Sequence, residues 1–245
     1  MPAKPGPRRA GRGGARARRK PRARRRPASY HHGSLREALL EAAEAVLERD
    51  GIQGLTLRAA ARQAGVSHAA PKNHFGDMTG LLSDLAAVGF ERFVATMLEK
   101  VRDGDSPALR MRAIGLGYVA FARAHPGLFL LMFRGERLDS SRPALRAAVD
   151  ASRKVLADAV AGRREEAVGA VLTLPQAAEI AAAWSLVHGF AMLLLDGRLE
   201  PLLARLAPGT DADALLGAIF SASQRDVMAR VQAFKARLGT SPPKP

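Results

Sequence analysis

Three glycines, Gly51, Gly65 and Gly76, cut the stretch from Ser34 onward into pieces too short for any long element. In the first piece Leu35, Leu39, Ala42, Ala43, Val46 and Leu47 recur at spacings of three and four. Arg36, Glu37, Glu41, Glu44 and Glu48 take the other side. That period is a helix, and Gly51 ends it, because glycine adopts the left-handed backbone of a helix C-terminus without steric cost. Thr56 is a suitable N-cap for a second, short helix carrying Leu57, Ala60, Ala61 and Ala64. Gly65 closes that helix. Ser67 is expected to cap a third, stopping near Phe75-Gly76. A glycine-containing turn between two short helices is the helix-turn-helix layout.

The third helix contains Pro71. With Ser67 as N-cap, Pro71 falls at N4 and one backbone hydrogen bond is lost. If the helix starts one residue later, Pro71 is N3 and nothing is lost. Val66, Ala70 and Phe75 are expected to face Leu39, Leu57 and Ala61, leaving His68, Ala69, Lys72 and Asn73 outward. A small residue lets a helix approach base edges, asparagine bonds adenine bidentately, and lysine reaches guanine or phosphate. The competing reading is a plain polar face on a three-helix subdomain.

The rest of the chain points to an all-α fold. Alanine and leucine dominate, and no long β-branched run occurs. After a helix from Met78 or Thr79 to about Arg102, helices are expected near 107–124, 126–134, 141–168, 175–195 and 211–238. Pro126, Pro143, Pro175 and Pro201 mark starts or breaks. That makes about nine helices. The domains are a disordered basic tail at 1–28, a helix-turn-helix domain at 29–77, a larger helical-bundle regulatory and dimerisation domain at 78–239, and a frayed tail at 240–245.

The net charge of +15 is unevenly placed. Residues 1–26 hold twelve Lys or Arg and no acid, leaving 26 basic against 23 acidic residues elsewhere. Such a polycation suits a polyanion, with nucleic acid ahead of membrane. There is no cysteine, which excludes disulfides and thiolate chemistry. The N-terminus lacks the apolar region of a secretory signal. The longest apolar stretch, Ile180–Leu195, has 16 residues and is short for a bilayer span, so a soluble, cytoplasmic protein is expected. Paired metal ligands, a phosphate-binding glycine loop and a nucleophile elbow are all missing. No enzyme activity, metal or cofactor is expected. His31-His32 suit a solvated helix entrance near DNA better than a surface metal site.

Residues 30–82, YHHGSLREALLEAAEAVLERDGIQGLTLRAAARQAGVSHAAPKNHFGDMTGLL, resemble the N-terminal DNA-binding domain of TetR-type transcriptional regulators. The resemblance implies a three-helix reader followed by a helical domain that dimerises and often binds a small ligand. It also implies that Thr56 touches a backbone phosphate and that Ser67, His68 and Ala69 open the recognition helix at the bases. His74-Phe75 match the family's His-Phe pair, with His74 near phosphate and Phe75 in the core. Two positions depart from the pattern. Lys72 stands where the family usually has Tyr, and Met78 where it usually has Lys. Lys72 still offers charge to a phosphate, whereas Met78 offers none.

FARAHPGLFLLMF (121–133) and WSLVHGF (184–190) are similar to a regulatory-domain subclass with a Trp-x-x-x-His-Gly pattern. Trp184 and His188 share a helical face. They fit a ligand-pocket wall, a dimer seam using Gly189 and nearby alanines, or a core tryptophan beside a satisfied histidine. Tyr118, Phe121, Phe129, Met132 and Phe133 are the other candidate pocket residues, and core packing suits them equally. Apolar stripes at Ile180, Val187, Ala191 and Leu194, and at Leu215, Ile219 and Val227, are expected at a two-fold four-helix seam. The implied function is a ligand-relieved homodimeric repressor on a palindromic double-stranded DNA operator, with an unidentified small-molecule effector. A nonspecific DNA-coating protein driven by the tail is the alternative.

Overall fold

A computed structural model describes residues 32–164, 169 and 171–222. The expectations for the 1–28 tail, His31-His32 as a site, residues 165–168, Val227 with the rest of 223–239, and the 240–245 tail lie outside the described residues. Among the described residues every regular element is helical. The order is α1 (His32–Gly54), α2 (Leu57–Gln63), α3 (Ala70–Phe75), α4 (Met78–Leu98), α5 (Pro107–Ala124), α6 (Pro126–Met132), a 3-10 turn (Gly135–Arg137), α7 (Pro143–Arg164), α8 (Leu174–Leu195) and α9 (Glu200–Leu203). A further helix, α10, follows at Ala212–Ala222.

The starts follow from caps. Thr56 Oγ1 accepts from the Ala59 amide at 3.0 Å, and Asp77 Oδ1 accepts from the Gly80 amide at 2.8 Å. Thr173 and Gln176 form a reciprocal capping box at α8. The turn between α2 and α3 is a Schellman motif. Gly65 donates to the Arg62 carbonyl at 3.2 Å and Val66 to the Ala61 carbonyl at 3.0 Å, with Gly65 at φ 68°.

Several boundaries depart from the sequence reading. Ser67 does not cap α3. Its carbonyl accepts from Ala70 and its Oγ from Ala69, which makes a separate turn, and α3 begins later than expected, at Ala70. Pro71 is therefore N2, where the amide has no intrahelical partner, and its ring is buried rather than merely tolerated. α4 ends at Leu98, where a turn closes from Val101 to the Leu98 carbonyl. At Gly51 (φ 68°) α1 breaks as expected, but helical residues resume to Gly54. α7 starts at Pro143 instead of 141, because Asp139 Oδ1 binds both the amide and hydroxyl of Ser141 in a turn. α9 has no counterpart in the sequence reading. α8 has 22 residues and is long and apolar enough to cross a membrane, contrary to the expected short stretch. One such helix, with Val187, Phe190 and Ala191 packed into the core, is no argument for a membrane protein.

The core runs without interruption from α1 to α10. α4 is at its centre, and its Leu81, Leu82, Leu85, Ala86, Ala87 and Phe90 are all buried. α5 crosses α4 so closely that a Cβ at Gly117 would stand 2.6 Å from the Thr96 carbonyl oxygen. Polar clamps tie α1 to the larger body. Glu48 accepts from the Gly127 and Leu128 amides of α6, each at 2.9 Å. Glu44 pairs with Arg92 of α4 at 2.7 Å.

Gly65→Ala forces a Cβ into left-handed backbone. It is expected to lower the unfolding free energy by about 1 kcal/mol, read from denaturant titration of the full chain.

Candidate nucleic-acid interface and regulatory cavity

α3 is too short to be stable alone, so its pose is set by what it buries. Pro71 and Phe75 are four residues apart and both buried against α1, α2 and α4. Arg36 of α1 sits over the Phe75 ring, 5.7 Å from its centroid. The opposite side carries Ala69, Lys72 and Asn73, all exposed, and Ser67 and His68 are exposed in the preceding turn. Thr56 is exposed at the start of α2. His74 is half-buried at the edge, its ring tilted 51° to that of Phe75. Thus the residues selected for DNA from sequence, apart from the half-buried His74, are solvent-accessible, on α3 and the two turns beside it. Arg58, two residues after the Thr56 cap, is also exposed and without an ion pair among the described residues. Neutral amide, imidazole and ammonium groups together suit a polyanion with base edges to read.

A cavity of about 630 Å³ opens between α4, α5, α7 and α8. Phe90, Phe93, Met111, Ile114, Leu145 and Val149 make most of its wall apolar. Of the residues expected there, Tyr118, Met132, Phe133 and Trp184 line it. Phe121 and Phe129 do not. Both are fully buried behind the wall, where Phe93 packs against them at 5.2 and 6.4 Å. His188 is also off the lining, yet its Nδ1 lies 2.8 Å from the Tyr118 hydroxyl. Trp184 is 49 % exposed, so it is no core tryptophan. Arg146, Asp150 and Arg153 contribute polar groups from α7, Arg153 lying 3.4 Å from Asp150.

Burial pushes the Tyr118 hydroxyl well above the ordinary phenol value, partly offset by a hydrogen bond from Trp184, so it stays protonated. Burial also lowers His188 below its usual 6.5, which favours the neutral ring. The pair is thus an uncharged polar handle beside an apolar space. The sign follows: the unfolded chain binds a proton at His188 more readily. Its stability contribution is complete above pH ~6.5 and lost as pH falls through the lower folded value. Thermal melts from pH 7.5 to 5 are expected to show this loss, with a shallower slope in His188→Asn.

The described residues of the two apolar stripes assigned to a two-fold seam pack on this chain's own core: Val187 and Ala191 are buried, and Ile180, Leu194, Leu215 and Ile219 lie partly buried against the core cluster. The outward side of α8 instead carries Ala178, Ala181, Ala182, Ser185 and Leu193, all exposed. No group of three or more His, Asp or Glu side chains among the described residues is placed to hold a metal.

Comparison with known proteins agrees with this architecture. Residues 39–85 match the bacterial regulatory proteins of the tetR family, and residues 111–219 match the tetracyclin repressor-like C-terminal domain. No curated protein matches the chain. Among solved structures, a protein of unknown function from Rhodococcus sp. RHA1 is 33% identical, with TM-score 0.66, over 82% of this chain and 98% of that one. The TetR family transcriptional regulator PfmR from Thermus thermophilus shares the fold at 18% identity and TM-score 0.54, over 75% and 94%. So does FadR from Bacillus subtilis, solved in complex with stearoyl-CoA, at 12% and 0.56, over 76% and 95%. With an N-terminal reader and a C-terminal domain both of this kind, the chain belongs to the TetR family of DNA-binding transcription regulators.

Proposed function

We propose that this regulator is a homodimeric repressor that leaves its operator when a predominantly apolar small molecule enters the cavity. The observation that carries the reading is the exposed Ser67–Asn73 surface, backed by the buried Pro71 and Phe75. In this assignment 29–77 is the reader and 78–239 the regulatory part. Ser67, His68 and Ala69 approach base edges, Asn73 reads adenine, and Thr56, Lys72 and His74 hold phosphates. Acting on DNA, the protein works in the cytoplasm.

Dimerisation is supported by the outward side of α8. Its small residues allow close helix approach, and an apolar helix left this exposed favours a partner. Two readers on a two-fold axis then meet successive major grooves about 34–36 Å apart, which calls for a palindromic operator. The apolar wall and the neutral Tyr118–His188 pair support an apolar effector with one polar group. Such a ligand relieves repression only by favouring a spacing of readers that misfits the operator.

Selection from a random duplex pool is expected to return a two-fold symmetric site. On that site Asn73→Ala should cost about 1–3 kcal/mol and relax one base position. Lys72→Ala should weaken all sequences alike and flatten the log–log salt slope by about 0.9. Binding without sequence preference once residues 1–28 are deleted would favour the tail-driven coating protein instead. Ala182→Arg is expected to convert a dimer to a monomer in sedimentation experiments. A wild-type monomer at micromolar concentration would refute the two-fold reading.

A further inference from the structure

A ligand in the cavity affects DNA only if a change in the wall reaches α3. The segment from Leu138 to Arg146 belongs to the wall: Leu138, Ser140, Leu145 and Arg146 line it. Arg142, in the middle of that segment, binds Asp84 of α4 instead. Its Nε and Nη2 lie 2.9 and 2.8 Å from Asp84 Oδ1. The other carboxylate oxygen takes Arg36 Nη2 of α1 at 2.7 Å. Arg36 also stacks over Phe75, the buried anchor of α3. Next to Asp84, the buried Ser83 hydroxyl accepts from the Asp139 amide at 2.8 Å and donates to the Thr79 carbonyl at 2.7 Å. One turn of α4 therefore grips both the cavity wall and the helix that seats the reader.

We propose that Asp84 is the positioning residue through which cavity occupancy sets the pose of α3. This rests on the reading that the cavity takes an effector. Asp84 is 4 % exposed, and a carboxylate so buried is costly to leave without partners for its oxygens. A ligand that displaces the Leu138–Arg146 segment takes Arg142 with it. The carboxylate then re-forms its contacts through Arg36, whose shift moves Phe75 and with it α3. Two discrete pairings of one buried charge make the switch abrupt rather than graded.

The test uses the full chain, a duplex recovered by selection, and anilinonaphthalene sulfonate as an apolar cavity probe. Probe affinity is measured with and without the duplex, and the ratio is the coupling. For the wild type it is expected to be about tenfold or more. In Asp84→Asn, Arg36→Gln and Arg142→Gln the ratio is expected to collapse toward one. The coupling is a ratio taken within each variant, so a change in its affinity for duplex alone does not enter it, and Arg142→Lys should retain part of the coupling. Arg36 and Arg142 are partly exposed, so their variants decide the outcome if Asp84→Asn fails to fold. A wild-type ratio of one, or no probe binding, overturns the effector reading itself. A tenfold wild-type ratio that persists in the variants overturns only the role of Asp84. Loss of coupling in Glu48→Gln alone would do the same, because the signal would then run through α6.

Discussion

α4 has almost no outer face in its first half, and most of the architecture follows from that constraint. Leu81, Leu82, Leu85 and Ala86 are buried on several sides at once. A helix apolar around so much of its circumference must be enclosed. α1 and α3 enclose it from one side and α5, α6 and α7 from the others. The reader and the regulatory part therefore share a hydrophobic core. A boundary drawn at residue 77 separates them in sequence but passes beside the helix both depend on.

Enclosure has a polar cost, which the same helix settles locally. Ser83 and Asp84 are buried with the leucines, and each is satisfied by a neighbour from another element. Satisfied buried polar groups define one arrangement of the surrounding helices far more narrowly than apolar contact does, since an alternative packing leaves them unpaired. The cavity makes the opposite use of apolar surface. There the rings of Phe90, Phe93 and Phe133 face space, and Tyr118 on the same wall meets His188 through its hydroxyl.

Pro71 shows how close a sequence argument comes and where it stops. Its position near a helix start was readable from the Gly65 turn and the polar run after it. The number of residues between Ser67 and the first helical residue was not, because Ser67 closes a turn of its own and delays α3 to Ala70. The sequence pattern left Pro71 at N4 or N3, and α3 takes neither, starting at Ala70 with Pro71 at N2 and buried. Likewise, the Val187 and Ala191 stripe on α8 has the right period for a helix face, but period alone does not say whether that face meets this chain or a second one.

The sequence by itself determined the helical class, most helix starts and the exposed polar side of α3 and the turn before it. Those depend on glycine and proline backbone limits, on capping side chains and on periods of three and four, all of which act within a few residues. Only the tertiary structure decided that Phe121 and Phe129 lie behind the cavity instead of on it, that Trp184 is half in solvent, and that Asp84 joins Arg36 to Arg142. Those facts rest on contacts between residues far apart in the chain, up to 58 positions for Arg142 and Asp84. No local propensity encodes which of several apolar faces or charged partners will meet.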